Sequence, residues 1–196
     1  MVSGVCDPWG RDPGVCDPRV AAPETARTQA ALASVLQMSQ STVWKSLRRL
    51  KLAKIYSEGA ARGAGKVDAR RLLDVLVHGL PAIYYPQKVG FVRGVPTGIF
   101  SPLFRERFAT ERDAVLVWPY SKGKVVGEGL VPTYPSIPAA CSRDADLCQV
   151  MAAVEILRTG KVRERAAAEK YLAERFGVGG GELAGDGEET AAGVGG

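Results

Sequence analysis

The sequence holds a single histidine, His78, in 196 residues. One imidazole leaves little choice of base for an activated nucleophile. The four cysteines, Cys6, Cys16, Cys141 and Cys148, form no Cys-x-x-Cys pair. The ligand spacing of a zinc site is therefore missing. Residues 177–181 are glycine-rich but lead into neither a helix nor a lysine, so they make no phosphate-binding loop. No apolar run approaches the roughly 18–20 residues that a membrane span needs. The N-terminus lacks the basic-then-apolar order of a signal peptide. These gaps predict a cytoplasmic protein that is not an enzyme, with no catalytic residue, metal or cofactor and no membrane partner. Disulfides are not expected in such a compartment. Cys148 is expected to pack as a small apolar residue on a helix.

What remains is an ordinary globular composition, 46% apolar and 24% charged, long enough for one larger domain or two small ones. The net charge is +5 and the pI about 9.1. Its distribution says more than its total. Residues 27–71 contain ten bases and two acids, a net +8, so the rest of the chain is net −3. Residues 177–196 contain four acids and no base. A basic segment fits an anionic partner such as nucleic acid, and it also fits a solvated face.

Residues 1–27 are expected to be disordered. Gly4-Val5-Cys6-Asp7-Pro8 recurs as Gly14-Val15-Cys16-Asp17-Pro18, with no apolar period around it. Translation starting nearer Val20 would account for this segment, and N-terminal sequencing of the native protein checks that. Order is expected from Thr28. Leu32, Val35 and Leu36 share one helical face, and Gln37-Met38 interrupts it. Ser39 is a good N-cap for a second helix, in which Val43, Leu47 and Leu50 make a buried stripe. Lys54-Ile55-Tyr56 reads as the start of a wing strand and residues 57–66 as a flexible loop. A helix follows from about Val67, with Leu72, Leu73, Leu76 and Val77 inward. Gly79 suits its C-terminal cap, and Pro81 is expected to stop it. His78 would then sit by the helix C-terminus and meet the dipole, or pack.

Residues 82–85, 90–95, 114–118 and 124–131 read as strands of a small sheet. Arg93-Gly94-Val95-Pro96-Thr97 would carry one strand into a rigid turn. Two helices follow, at about 144–158 and 162–176, separated by Gly160. Leu147, Val150, Met151, Val154 and Leu157 point inward on the first. Arg158, Arg163, Glu164 and Arg165 fit local surface ion pairing or a partner contact, each surface pair contributing about 0–1 kcal/mol. The last residues, 177–196, read as a disordered acidic tail. The predicted class is α+β. It divides into the disordered segment 1–27, a helix-turn-helix of the winged type at 28–66, a small mixed α/β regulatory or interaction domain at 67–176 ending in two helices, and the tail.

The segment Thr28-Gln29-Ala30-Ala31-Leu32-Ala33-Ser34-Val35-Leu36-Gln37-Met38-Ser39-Gln40-Ser41-Thr42-Val43-Trp44-Lys45-Ser46-Leu47 resembles the bacterial helix-turn-helix. Ala33 is small where two helices would cross, and Leu36, Val43 and Leu47 would lock them. Ser39 leaves the first turn of the second helix free to face the major groove. Gln40, Ser41 and Thr42 are the expected base readers. Lys45, Arg48 and Arg49 would reach bases or phosphates, and Thr28, Gln29 and Ser39 complete the DNA-facing set. Trp44 lies either on the groove face or packs in the core or a dimer contact, and packing is the preferred reading. A plain helical hairpin uses the same apolar spacing. Two departures from the motif stand out. The turn usually holds glycine because its φ is positive, whereas here it is Gln37. A winged domain also needs a further helix, and residues 1–27 offer no apolar one.

The remainder is similar to a bacterial family of winged helix-turn-helix transcriptional regulators encoded beside nucleotidyltransferase-like toxins, akin to abortive-infection (type IV) antitoxins. The resemblance rests on Leu76-Val77-His78-Gly79, Tyr84-Tyr85-Pro86, Arg93-Gly94-Val95-Pro96-Thr97, Tyr134-Pro135-Ser136-Ile137-Pro138-Ala139-Ala140 and Leu157-Arg158-Thr159-Gly160-Lys161-Val162-Arg163-Glu164-Arg165. It implies repression of the protein's own operon through double-stranded DNA, with neutralisation of a toxin protein as the alternative role. A homodimer would present two recognition helices about 34 Å apart.

Overall fold

A computed structural model describes residues 28–59, 65–108 and 114–178. The expectations for residues 1–27, for most of the acidic tail and for the middle of the 57–66 loop fall outside the described residues. What is described is a mixed α+β fold, as the sequence predicts.

Two helices open it, α1 (Gln29–Val35) and α2 (Gln40–Leu52). Each begins on a side-chain cap, which satisfies one of the amide groups a helix start leaves unpaired. The Thr28 hydroxyl accepts from the Ala31 N–H and the Ser39 hydroxyl from the Thr42 N–H, both at 3.2 Å. Gln37 takes the left-handed conformation at φ 53°, as the turn demands, although it is not glycine. The Met38 N–H then closes the turn on the Ala33 carbonyl at 2.9 Å. Ala33 and Val43 are buried and Leu36, Leu47 and Leu50 half-buried, so the predicted stripe joins the two helices.

A second left-handed residue, Lys54 at φ 57°, turns the chain out of α2. It enters a two-stranded antiparallel hairpin, β1 (Tyr56–Ser57) and β2 (Lys66–Val67), with Tyr56 opposite Val67. Ile55 is buried beneath it; its N–H donates to the Leu50 carbonyl and its own carbonyl accepts from the Asp68 N–H at 2.7 Å. The Asp68 carboxylate caps α3 (Ala69–Asp74), accepting from the Arg71 N–H at 3.0 Å.

Here the structure corrects the sequence reading. Gly79 does not end the helix, and residues 82–85, expected as a strand, contain none; the strand begins at Lys88. α3 widens into one π turn, Val75–Gly79, and continues as α4 (Leu80–Ile83). The Leu80 N–H reaches back five residues to the Val75 carbonyl. The ladder changes register just where Pro81 has no N–H to donate, so proline falls in a new first turn and is tolerated. His78 consequently lies within the helix and exposed, away from any helix C-terminus.

The strands at 88–130 form a small closed barrel. β3 (Lys88–Pro96) pairs antiparallel with β4 (Leu116–Pro119) and with β5 (Val125–Leu130), while β4 and β5 pair in parallel. Closure brings backbones together at Gly94, where a Cβ would lie 2.1 Å from the Trp118 carbonyl oxygen. β3 ends at Pro96, and Gly98 at φ 59° makes the expected sharp turn into a 3-10 helix (Gly98–Phe100) and α5 (Pro102–Phe108).

α6 (Ile137–Cys141), α7 (Ala145–Thr159) and α8 (Val162–Arg175) complete the fold. α7 is the centre of the core. Ala153, Val154, Ile156 and Leu157 pack with Ala168 and Leu172 of α8, with Phe104, and with Leu73 and Val77. A second cluster joins Val95, Trp118, Ile137, Cys141 and Cys148. Cys148 is thus the buried helical residue the sequence suggests. Arg158 departs from the expected surface pairing. It donates to Glu155 at 2.7 Å with both side chains almost fully buried, 3% and 2% exposed, and it also binds the Tyr84 and Tyr85 carbonyls. Trp118 Nε1 donates to the other Glu155 oxygen at 2.9 Å. Burial pushes the Glu155 carboxyl above its ordinary pKa, while Arg158 and the Trp118 hydrogen bond pull it back.

Candidate nucleic-acid interface

Between Thr28 and Ser57 the chain has five bases and no acid. Helical spacing sorts the predicted site residues along α2. Gln40, Ser41, Lys45, Arg48 and Arg49 are exposed, whereas Thr42 is half-buried. Thr28 and Gln29 are exposed at the start of α1. Thr28 and Ser39 act as caps, so their hydroxyls are already committed to backbone N–H groups.

The first turn of α2 is tied together by its own hydroxyls. Ser39 Oγ lies 2.9 Å from Ser41 Oγ and 2.8 Å from Thr42 Oγ1. This fixes their orientation and still leaves Ser41 lone pairs on the surface. The amide groups of that turn carry the partial positive charge of a helix start, and no acidic residue offsets it. Beyond it, Arg48 stacks over the Trp44 ring at 5.5 Å. Trp44 is 48% exposed and does not enter the core of this chain, contrary to that half of the packing reading. Lys51 is spent on Glu58 at 2.7 Å, an ion pair that links the end of α2 to the residue after β1. Lys45, Arg48, Arg49 and Lys54 remain as exposed cations along α2 and its exit.

One supporting contact escapes sequence reasoning. The Ser136 hydroxyl donates to the Leu36 carbonyl at 2.7 Å, across 100 residues. Beside it a cavity of about 250 Å³ is walled by Leu36 and Met38 on one side and by Ile137, Cys141, Leu147 and Met151 on the other. The turn between α1 and α2 therefore rests on the α6–α7 region. Ser136 lies in a Pro-rich stretch that marks a turn, and nothing local marks its partner.

Among the described residues no group of three or more His, Cys, Asp or Glu side chains is placed to hold a metal. No described helix is long and apolar enough to cross a membrane. Comparison with protein-family models, curated proteins and solved structures finds no match for this chain.

Proposed function

We propose that the chain is a DNA-binding transcriptional regulator of the winged helix-turn-helix kind, inserting α2 into the major groove. The observation that carries this is the surface of α2. A capped, acid-free first turn presents Gln40 and Ser41, followed on the exposed surface by Lys45, Arg48 and Arg49. Short polar groups at the helix start suit base edges, and guanidinium groups further on suit guanine or phosphate. The two-stranded β1–β2 hairpin that follows α2 supports the wing of this reading. In this reading the protein is cytoplasmic, works as a homodimer on a near-palindromic site and represses its own operon.

A gel shift on the DNA upstream of its own gene, run across a salt series, tests it. Specific binding should weaken steeply with salt. The double variant Arg48→Ala, Arg49→Ala should bind more weakly, and its log–log salt slope should fall by about 2 if both arginines hold phosphates. A folded protein that shifts no DNA refutes the proposal.

A second reading has its own observation. Ile83, Tyr84, Tyr85, Val89 and Phe91 are exposed within nine residues, Phe91 at 75%. Such apolar exposure suits a protein contact. Neutralisation of a nucleotidyltransferase-like toxin is the partner this reading names. A toxin gene beside this one, and loss of protection by Phe91→Glu, would favour it.

A further inference from the structure

Cys141 ends α6 and Cys148 lies in the first turn of α7, in the same buried cluster. Both are free thiols, 2% and 1% exposed. They share that cluster with Val95, Trp118 and Ile137, near enough that their mutual hydrogen bond raises the pKa of Cys141 and lowers that of Cys148. Two paired thiols differ from a single structural cysteine because each supplies the second sulfur the other needs. Burial alone would make them inert. However, Cys141 lines two cavities, the one of about 250 Å³ under the α1–α2 turn and another of about 220 Å³ beside Tyr120, Lys122 and Arg143. Each has room for several molecules the size of water, about 30 Å³ apiece. A small oxidant therefore has room to reach Cys141, the member of the pair that lines both cavities.

We propose that Cys141 and Cys148 form a redox-active dithiol, oxidised to an intramolecular disulfide by a small hydroperoxide that enters through these cavities. In the first step one sulfur attacks the terminal peroxide oxygen. An S–O bond forms, the O–O bond breaks, and the leaving oxygen takes up a proton to depart as water or an alcohol. The second sulfur then attacks the sulfenic sulfur. The S–S bond forms, the S–O bond breaks, and water leaves with the remaining thiol proton. Two thiols lose two electrons and the peroxide gains them. Cys141 is part of the wall that faces the α1–α2 turn, so a bond there alters the seat of the helices read above as DNA-binding. That consequence rests on the DNA-binding reading, whereas disulfide formation does not.

The test uses the full chain with Cys6→Ser and Cys16→Ser, which removes the other two thiols. Hydrogen peroxide should lower the intact mass by about 2 Da, for the two thiol hydrogens. Trypsin cuts after Arg143, between the two cysteines, so the digest should contain two peptides joined until reduced. A polyethylene-glycol maleimide should leave the folded protein unmodified. In Cys148→Ser, Cys141 should instead give a sulfenic acid trapped by dimedone. Thiols that survive peroxide in the folded protein but oxidise once it is denatured would overturn the proposal. So would sulfinic acid formation without cross-linked peptides, or maleimide reaction at the rate of the denatured chain.

Discussion

Replacing Arg158 by methionine probes the most buried of the ion pairs among the described residues. Methionine keeps the apolar stem but removes the charge. Three hydrogen bonds vanish with it: to Glu155 at 2.7 Å, to the Tyr84 carbonyl at 2.9 Å and to the Tyr85 carbonyl at 3.3 Å. Glu155 is left buried with only the Trp118 N–H. Stranding one member of a buried pair costs about 3–5 kcal/mol, or roughly 6–20 °C in Tm for a chain of this size. The pH dependence carries the stronger signature. Burial already raises the Glu155 pKa in the folded state, and without Arg158 the rise grows. A carboxyl with a raised folded pKa binds a proton on folding, so it loses stability as pH climbs through that pKa. The gap between wild type and variant should therefore be smaller near about pH 5 than near about pH 7.5. Urea melts followed by tryptophan fluorescence measure it. Adding Glu155→Gln should recover more than about 1 kcal/mol of the loss, since the two sites are coupled. A cost below about 1 kcal/mol at neutral pH, or one equal at both pH values, refutes the argument.

Two further substitutions test the local geometry of the helix pair. Ser39→Ala removes the cap of α2 and the hydroxyl that holds Ser41 and Thr42, so it should cost about 1 kcal/mol in a thermal melt and weaken specific DNA binding. Gln37→Gly relieves a left-handed backbone at φ 53° and should raise stability by up to about 1 kcal/mol, the Gln37 side-chain bond to Ser34 offsetting part of the gain; a lower melting temperature counts against the strain.

Local patterns disclosed much of this fold. The α1–α2 pair followed from an apolar period of 3.6 and two caps, and the left-handed turn at Gln37 from the geometry that such a pair needs. Strands β3, β4 and β5 were visible as β-branched and aromatic runs between Gly and Pro, and α7 and α8 as periodic stretches divided by Gly160. The misses share one cause. Pro81 reads as a stop only if the helix keeps a four-residue ladder. The π turn that admits it is held by Leu73 and Val77 packing on α7 and α8, about eighty to a hundred residues away. Arg158 looked like a surface charge because its carbonyl partners lie 73 and 74 residues upstream. In the candidate interface the polar face of α2 was legible, while the Arg48 stack on Trp44 and the seat on Ser136 depended on side-chain placement that no periodicity encodes.

That seat also bears on the further helix a winged domain requires. Within residues 28–57 the buried apolar side chains are Ala33, Val43 and Ile55. Segments below about 40 residues seldom fold on so small a core without added support. The support visible here comes from the far end of the chain. Ser136 holds the Leu36 carbonyl, and side chains of α6 and α7 face Leu36 and Met38 across a cavity. The α1–α2 pair, joined by its own stripe, is therefore seated at its turn on α6 and α7. The consequence is directional. Whatever shifts the end of α6, a ligand in the cavity or a bond between Cys141 and Cys148, acts on the turn that aims α2, because the small core of that helix pair offers little to resist it.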